Sequence, residues 1–378
     1  MNRAVKYRIY PTTEQIEFFA KTFGCCRKVW NLMLADKVQS YKDTGTFGKQ
    51  TPAMYKKEYP FLKEVDSLAL ANVQLHLETA FRNCFDRKRK KCNGFPKFKS
   101  AKHSRKSYTT NNQNGTVSII DNTIKLPKIG KIKVVIHRLP ESDWSIKSAT
   151  VSQDSDGKYY VSVLFEYDAP VITYKPDITN SIGLDYASDC LYVDSNGNKG
   201  SNHKYFRDSC KKLAKEQRKL SRKTGSKKNE PKSNNYLKQL NKVNKIHKHI
   251  SNQRLDHLHK LSTEIANQYD VVCVEDIDMK SLSNKGFGNG KATLDNGYGM
   301  FLSMLEYKLA DRGKLFIRID KWYPSSQLCS CCGNRNPETK NLRIRKWTCP
   351  VCNTVHNRDI NAAENILHEG LRIIQNVA

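Results

Sequence analysis

Residues 329–352 hold five cysteines, four of them in two pairs, Cys329-x-x-Cys332 and Cys349-x-x-Cys352, sixteen residues apart. A segment this short cannot bury a core of its own, so its fold must be organised around a metal. The spacing is that of a four-thiolate zinc site, and Gly333 lets the chain turn back after the first pair. Four thiolates enclose a tetrahedral ion and leave no position for a substrate, which makes the expected Zn²⁺ structural. Cys331, inside the first pair, is spare or substitutes for a neighbour as ligand. An iron–sulfur cluster is the alternative occupant.

The chain around this insert is strongly basic. Over 378 residues, Lys and Arg number 65 against 37 Asp and Glu, a net charge of +28. Such a surface attracts polyanions and releases their counterions; the plain alternative is a ribosomal-type or merely basic soluble protein. Half of the excess sits in residues 204–260, where 18 Lys or Arg face 4 Asp or Glu. That is far more than solubility requires and favours nucleic-acid contact. The length suits two or three cores. The stretch "MNRAVKYRIYPTTEQ" lacks the apolar centre of a signal peptide, and nothing approaches the ~18 apolar residues of a membrane span. The expectation is a soluble cytoplasmic protein with no membrane partner. The seven cysteines outside the insert are scattered singly or as Cys25-Cys26, as buried thiols of a reducing compartment would be.

In chain order, "VKYRIYP" alternates and reads as a strand stopped by Pro11. A helix follows, with Thr12 and Gln15 as a capping box and Ile16, Phe19, Phe23, Val29 and Met33 as its apolar face. A second helix starts near Asp66. It puts Leu70, Val73, Leu77, Phe81 and Cys84 on one face, Gln74 and Glu78 elsewhere, and ends in "DRKRKK". The segment "CNGFPKFKSAKHSRKSYTTNNQN" reads as a polar loop. From Gly115 to Tyr167, "TVSII", "TIKLP", "IKVVIH", "SATVSQ" and "KYYVSVLFEY" read as antiparallel strands of a barrel or sandwich. The first strand joins them if the two helices are an insertion into a β-domain, and "DAPVITYKPDITN" is a linker.

Beyond it, "SIGLDYASDCLYVDSNG" gives two strands. Residues 204–260 form a basic helical hairpin, with Leu237, Leu240, Val243, Ile246, Ile250, Leu258, Leu261 and Ile265 at helical spacing. "YDVVCVEDID" is the apolar run of a parallel strand buried on both faces. Residues 281–299 are a flexible Gly-rich loop but not a Walker loop, because Lys285 and Ala292 stand at the required Gly and Ser/Thr positions. A helix ("MFLSMLEYKLADRG") and a strand ("KLFIRID") follow.

Three carboxylates stand out. Asp185 lies on the first strand of the C-terminal half, Glu275 ends the buried strand, and Asp359 begins the helix "DINAAENILHEGL". A lone Asp359 is explained by capping and the helix dipole, and acids are common at strand ends. As a set, acids at the carboxyl edge of an α/β sheet with a third from a packed helix repel one another unless hard divalent cations join them. Two such ions on a phosphodiester are nuclease chemistry. Asp189 and Asp194 are the nearby alternatives to Asp185, which is preferred because it lies on the apolar strand.

The motifs "GLDYASD", "VVCVEDID" and "NRDINAAENI", the two cysteine pairs, "KYRIYPT" and "GFPKFKS" together resemble the TnpB proteins of insertion sequences, relatives of the type V CRISPR effectors. The resemblance spans essentially the whole chain. It implies a multidomain α+β and α/β fold: a β-barrel wedge domain (1–10 and 101–172) with an inserted helical recognition domain (11–100). An RNase H-like RuvC nuclease (173–325 and 358–378) follows, carrying a zinc ribbon (326–357). It implies Asp185, Glu275 and Asp359 as catalytic acids holding Mg²⁺ or Mn²⁺, and Cys329, Cys332, Cys349 and Cys352 as zinc ligands. Asn357 stands where many relatives have aspartate, which weighs toward Asp359 as the metal ligand.

The implied activity is RNA-guided cleavage of double-stranded DNA beside a short adjacent motif, with a guide RNA derived from the transposon end, in the prokaryotic cytoplasm at the nucleoid. Gln74 and the loop residues Ser107, Tyr108, Thr109 and Asn111 are the candidates for contact with bases or phosphates. The competing readings are a transposition regulator that binds without cutting, an unguided nuclease, and a miniature CRISPR-like effector.

Overall fold

The two-residue alternation after Gly115 folds together with the chain's first strand. β1 (Asn2–Tyr10), β2 (Lys106–Asn111), β3 (Ser118–Ile120), β4 (Thr123–Leu126), β5 (Gly130–Val135), β6 (Ser145–Gln153) and β7 (Tyr159–Glu166) form one sheet, in the order β2-β6-β7-β1-β5-β4-β3. The computed structural model describes residues 1–86, 94–138, 140, 143–168, 173–227, 230–282 and 295–377. Most of the Gly-rich loop expected over 281–299, and parts of "DRKRKK" and of the 168–180 linker, lie outside the described residues. The chain divides into two compact units, Met1–Pro170 and Val171–Ala378.

In the first unit all strand pairings are antiparallel. β1 pairs with β7 over Asn2–Ile9 but with β5 only over Arg8–Tyr10, so one strand joins two offset halves. Of the barrel or sandwich expected from the sequence, the described residues form a half-barrel sheet with β2 and β3 at its two ends. Two helices, α1 (Thr13–Thr44) and α2 (Ser67–Phe85), intervene between β1 and β2 and pack against β2.

The capping box is present: Thr12 Oγ1 accepts the Gln15 N–H (3.4 Å) and Gln15 Oε1 accepts the Thr12 N–H (3.0 Å). Asp66 caps α2 by accepting the Leu68 N–H. Phe19, Phe23, Val29 and Met33 of α1 and Leu70, Val73, Leu77 and Phe81 of α2 are buried, while Ile16, in the first turn, stays exposed.

β2 corrects the reading of residues 107–111 as a loop. Its composition is polar because it is an edge strand, whose inward positions are Tyr108 and Thr110. Tyr108 packs on Phe19 and Phe23 with ring centroids about 6 Å apart. The buried Thr110 hydroxyl donates to the second oxygen of Asp66. The buried polar pair hides the strand from a hydrophobicity pattern.

The second unit is built on a four-stranded sheet of β8 (Ser181–Ala187), β9 (Leu191–Asp194), β10 (Val271–Glu275) and β11 (Leu315–Ile319), ordered β11-β10-β8-β9. β8, β10 and β11 are parallel, and β9 returns antiparallel on β8. Between β9 and β10 run α3 (Tyr205–Ser221) and α4 (Asn234–Gln268), the expected basic hairpin. Leu213 is the buried residue of α3, and Val243, Ile250, Leu258 and Ile265 are among those of α4, whereas Leu237 is exposed. The short α5 (Met279–Leu282) and then α6 (Tyr298–Ala310) precede β11; α7 (Arg358–Val377) ends the chain.

One face of the sheet packs Ile182, Leu184, Val272 and Val274 against α4 and α6 through Leu258, Ile265, Phe301 and Leu305. The other face packs Val271, Cys273 and Ile319 against Ile366 of α7. Among the described residues no helix is long and apolar enough to cross a membrane.

Asp270, one residue before β10, fastens this unit. It accepts the Tyr174 hydroxyl and the Asp177 N–H, and pairs with Lys314 at 3.1 Å. The Tyr174 hydrogen bond, with help from the Asp177 N–H and the Lys314 ammonium, holds the buried Asp270 carboxyl below the usual carboxylate range. A depressed carboxyl stabilises the fold above its unfolded pKa, and that stability is lost as pH falls through the folded value. Asp270→Asn is therefore expected to cost roughly 2 kcal/mol at neutral pH. The penalty should shrink toward zero as pH falls below about 4, as read from urea unfolding midpoints at both pH values.

Candidate active site and metal centre

The site begins with two glycines. A Cβ on Gly183 of β8 would stand 2.1 Å from the Ala363 carbonyl oxygen and 2.9 Å from the Leu367 nitrogen, and one on Gly370 would stand 2.2 Å from Cys273 Sγ. The backbone of α7 therefore rests directly on β8 and β10, a contact only glycine permits. This carries the start of α7 to the strand ends where Asp185 and Glu275 lie. Gly183→Ala is expected to cost about 3 kcal/mol or more, because backbone and not a flexible side chain would have to move; the urea midpoint checks it.

The structure brings Asp185, Glu275 and Asp359 to one cavity of about 630 Å³. The same cavity is lined by Lys321, Trp322, Lys340, Arg345 and Arg358. Burial first, and then the charges of Glu275 and Asp359, push the Asp185 carboxyl well above its ordinary range, against the opposing pull of Arg358. Burial raises Glu275 to about 7. The buried Tyr298 hydroxyl, raised by burial and then by Asp185 and Glu275, adjoins the same acids. Asp359 is held by Arg345, whose Nη1 lies 3.2 and 3.3 Å from its two oxygens.

The carboxylates do not form a closed cage. Among the described residues, the groups whose potential ligand atoms all lie within 4.8 Å of one another are cysteine clusters. An all-oxygen set of carboxylates in one cavity has the chemistry of a hard-cation site.

Capping does not account for Asp359. Asn357 Oδ1 accepts the N–H groups of Asp359 (3.1 Å) and Ile360 (3.4 Å), so Asn357 is the cap. Of the two alternatives to Asp185, the buried Asp194 accepts the N–H groups of Asn196 and Asn198 and holds the turn after β9. Asp189 is exposed at the cavity rim.

Cys329, Cys332, Cys349 and Cys352 bring their sulfurs within 4.8 Å of one another. Cys329–Cys352 are 3.5 Å apart and Cys332–Cys349 3.6 Å, close to the ~3.8 Å edge of a tetrahedron with Zn–S bonds of ~2.3 Å. The four sulfurs therefore fit zinc. His356 of the hairpin β12 (Lys346–Thr348) and β13 (Val355–Asn357) places Nε2 3.0 Å from Cys329 Sγ. Cys331 belongs with Cys329 and His356 to a second, three-membered cluster.

The first knuckle is tied to α7. Asn361 accepts the Ser330 N–H (2.9 Å) and donates to the Leu328 carbonyl (2.7 Å); Asn365 donates to the carbonyls of Ser325 and Leu328, both at 2.8 Å. Neither this clamp nor the set of cations around Asp359 is legible in the sequence pattern. The one available signal was the pair of amides, four residues apart, in "NAAEN". Cys349→Ser is expected to lower bound zinc from about one ion per chain to near zero in elemental analysis, with faster proteolysis within 326–357. Unchanged zinc would assign the ion to the cluster of Cys331 and His356.

The residues proposed for nucleic-acid contact lie in the first unit. Gln74, on α2, donates to Glu78 at 3.0 Å. Thr109 and Thr150 share a hydrogen bond of 2.8 Å, and Asn111 accepts from Asn72 at 3.4 Å. Ser107, Tyr108 and Thr109 line a cavity of about 220 Å³ with Arg27, His76 and Lys99. Tyr108 is a core residue, and burial pushes its hydroxyl far above the usual tyrosine range.

Sequence comparison places this architecture. A family profile described as "Probable transposase" matches residues 163–285, and one described as "Cas12f1-like, TNB domain" matches 298–366. A third, "Helix-turn-helix domain", matches residues 1–46, which here form one strand and one unbroken helix. The structure is similar to that of the protein in the "Cas12f1-sgRNA-target DNA complex", with a TM-score of 0.54 at 15% identity, covering 97% of this chain and 98% of that one. Fold and cysteine cluster thus define a mixed α/β multidomain protein whose fold is similar to that Cas12f1 chain.

A "Putative RNA-guided DNA endonuclease" of Streptomyces pristinaespiralis is 36% identical over 98% of this chain and 90% of its own length. "Putative RNA-guided DNA endonuclease InsQ" of Escherichia coli is 29% identical over 98% and 93%. The chain belongs to the TnpB family.

Proposed function

We propose that this chain is an RNA-guided DNA endonuclease that hydrolyses phosphodiester bonds with Asp185, Glu275 and Asp359. The observation that carries the reading is the gathering of these acids in one cation-rimmed cavity, in a chain of the TnpB family. Mg²⁺ or Mn²⁺, when bound, would supply Lewis-acid polarisation of the phosphate and an activated water. The protein's part is to hold the oxygen ligands. Asp185 and Glu275 come from neighbouring parallel strands, and Asp359 from the helix seated on them. The raised carboxyls of Asp185 and Glu275 mark a site that is electrostatically incomplete without cations. Arg345 and Arg358 supply positive charge for a bound phosphate.

In this reading residues 1–10 and 101–172 form the wedge domain and 11–100 the recognition domain. Residues 173–325 and 358–378 form the RuvC-like nuclease, and 326–357 the zinc ribbon. The guide RNA comes from the transposon end, base pairing reads the target, and the protein reads a short adjacent motif. Gln74, Ser107, Thr109 and Asn111 contact that motif, with Tyr108 supporting them from the core. The +28 net charge suits both nucleic acids. The activity would be exercised in the cytoplasm, at the nucleoid.

The test is cleavage of a plasmid target by the chain purified with its co-expressed downstream RNA. Asp185→Ala is expected to lower the rate by roughly three orders of magnitude or more, while Asp194→Asn cuts at near the normal rate per folded molecule. Exchanging the variable end of the RNA should move the cut. Cleavage that persists in Asp185→Ala would remove the active-site assignment, and cleavage indifferent to the RNA would leave an unguided nuclease.

A further inference from the structure

Trp322 is the most exposed large hydrophobic side chain among the described residues, at 80%, and it lines the cavity that holds the three acids. Trp30 and Trp347 are buried and Trp144 is half-buried. A tryptophan left in water forgoes the burial that ordinarily stabilises it, so its position calls for a partner outside the chain.

Its backbone is fixed. Just past β11, Asp320 Oδ1 accepts the Trp322 N–H at 2.7 Å, and the Asp320 carbonyl accepts the Tyr323 N–H at 3.1 Å. The tight turn fixes the backbone from which the indole lines the cavity. Lys321 Nζ stands 4.7 Å from its ring centroid, and at 80% exposure much of the ring surface remains open to solvent.

The surroundings select the partner. Lys321, Lys340, Arg345 and Arg358 share the cavity with Trp322. An apolar protein surface laid here would strand those cations and the carboxylates without solvent. An unpaired nucleic-acid strand offers phosphates to the cations and a flat base to the indole, the combination that single-strand grooves use.

We propose that Trp322 is a stacking platform for an unpaired base of the DNA strand that enters the acid cavity. The base packs on the open face of the indole while its phosphates meet the flanking cations. Stacking is indifferent to base identity, because every base has a π-face, so the platform suits a nuclease whose target is chosen elsewhere. The proposal rests on the nuclease reading for its choice of strand. It adds a DNA-positioning residue that the acids do not reveal.

The test is tryptophan fluorescence of the full-length, zinc-loaded chain titrated with a short oligothymidylate, without added divalent cation, so that binding is read apart from cleavage. Wild-type fluorescence should be quenched. Trp322→Phe should abolish that quenching yet bind within about threefold of wild type, since phenyl also stacks, and Trp322→Ala should bind about tenfold more weakly. Because the side chain is exposed, both variants should melt as the wild type does. Unaltered quenching in Trp322→Phe, or unaltered affinity in Trp322→Ala, would overturn the proposal.

Failure of the nuclease reading appears separately. It would show as no metal-dependent cleavage by the wild type, whereas the quenching difference needs no cleavage and is expected to survive in Asp185→Ala.

Discussion

The seating of α7 on β8 and β10 is the contact on which the site depends. Gly183 meets the Ala363 carbonyl with no side chain as a spacer, and Gly370 leaves room for the Cys273 side chain against the helix backbone. The helix lies nearer the sheet than ordinary packing allows, and its first turn arrives beside two strand ends. Neither Asp185 nor Glu275 could meet Asp359 through local structure, since the three are separated by long stretches of chain. Helix–sheet packing replaces sequence proximity, and it does so with backbone, the least adjustable part of either element.

What gathers there is electrostatically unfavourable taken alone. Burial and mutual repulsion raise Asp185, burial raises Glu275, and Asp359 is paired with Arg345. Arg358 opposes the rise of Asp185 without cancelling it, and Arg345 pairs with Asp359. Such a site is organised to receive positive charge on its floor and negative charge at its rim. A phosphodiester accompanied by divalent cations has that pattern of charge.

The cysteine insert joins the arrangement through hydrogen bonds. Asn361 and Asn365 are buried in α7 and take up backbone groups of Ser325, Leu328 and Ser330. Buried amides with few other partners fix geometry strongly, because an unmade bond there would leave polar atoms without water. The first knuckle and the helix bearing Asp359 are therefore one mechanical piece. Arg345, just before β12, reaches back to Asp359 from the same insert. A four-cysteine cluster can in this way influence a carboxylate it never touches.

Much of this was legible in the chain. The cysteine spacing announced a metal-organised insert, because ligand geometry is written into short intervals. Thr12 and Gln15 announced the start of α1, and the apolar run at 271–274 a strand buried on both faces, because capping and periodicity are local. The order of Asp185, Glu275 and Asp359 within their motifs pointed to a shared role.

Other features needed the tertiary structure. β2 was hidden because Thr110 spends its polarity on Asp66, a residue of another element. The cap of α7 fell to Asn357 and left Asp359 available, a choice made by side-chain orientation. The strand order of the first sheet, the clamp of Asn361 and Asn365, and the meeting of Trp322 with the three acids all depend on distances between segments far apart in sequence. The sequence alone determined which residues could ligate, cap or pack, since those are properties of residue type and short spacing. The tertiary structure decided which of them meet, because that depends on how closely one backbone can approach another.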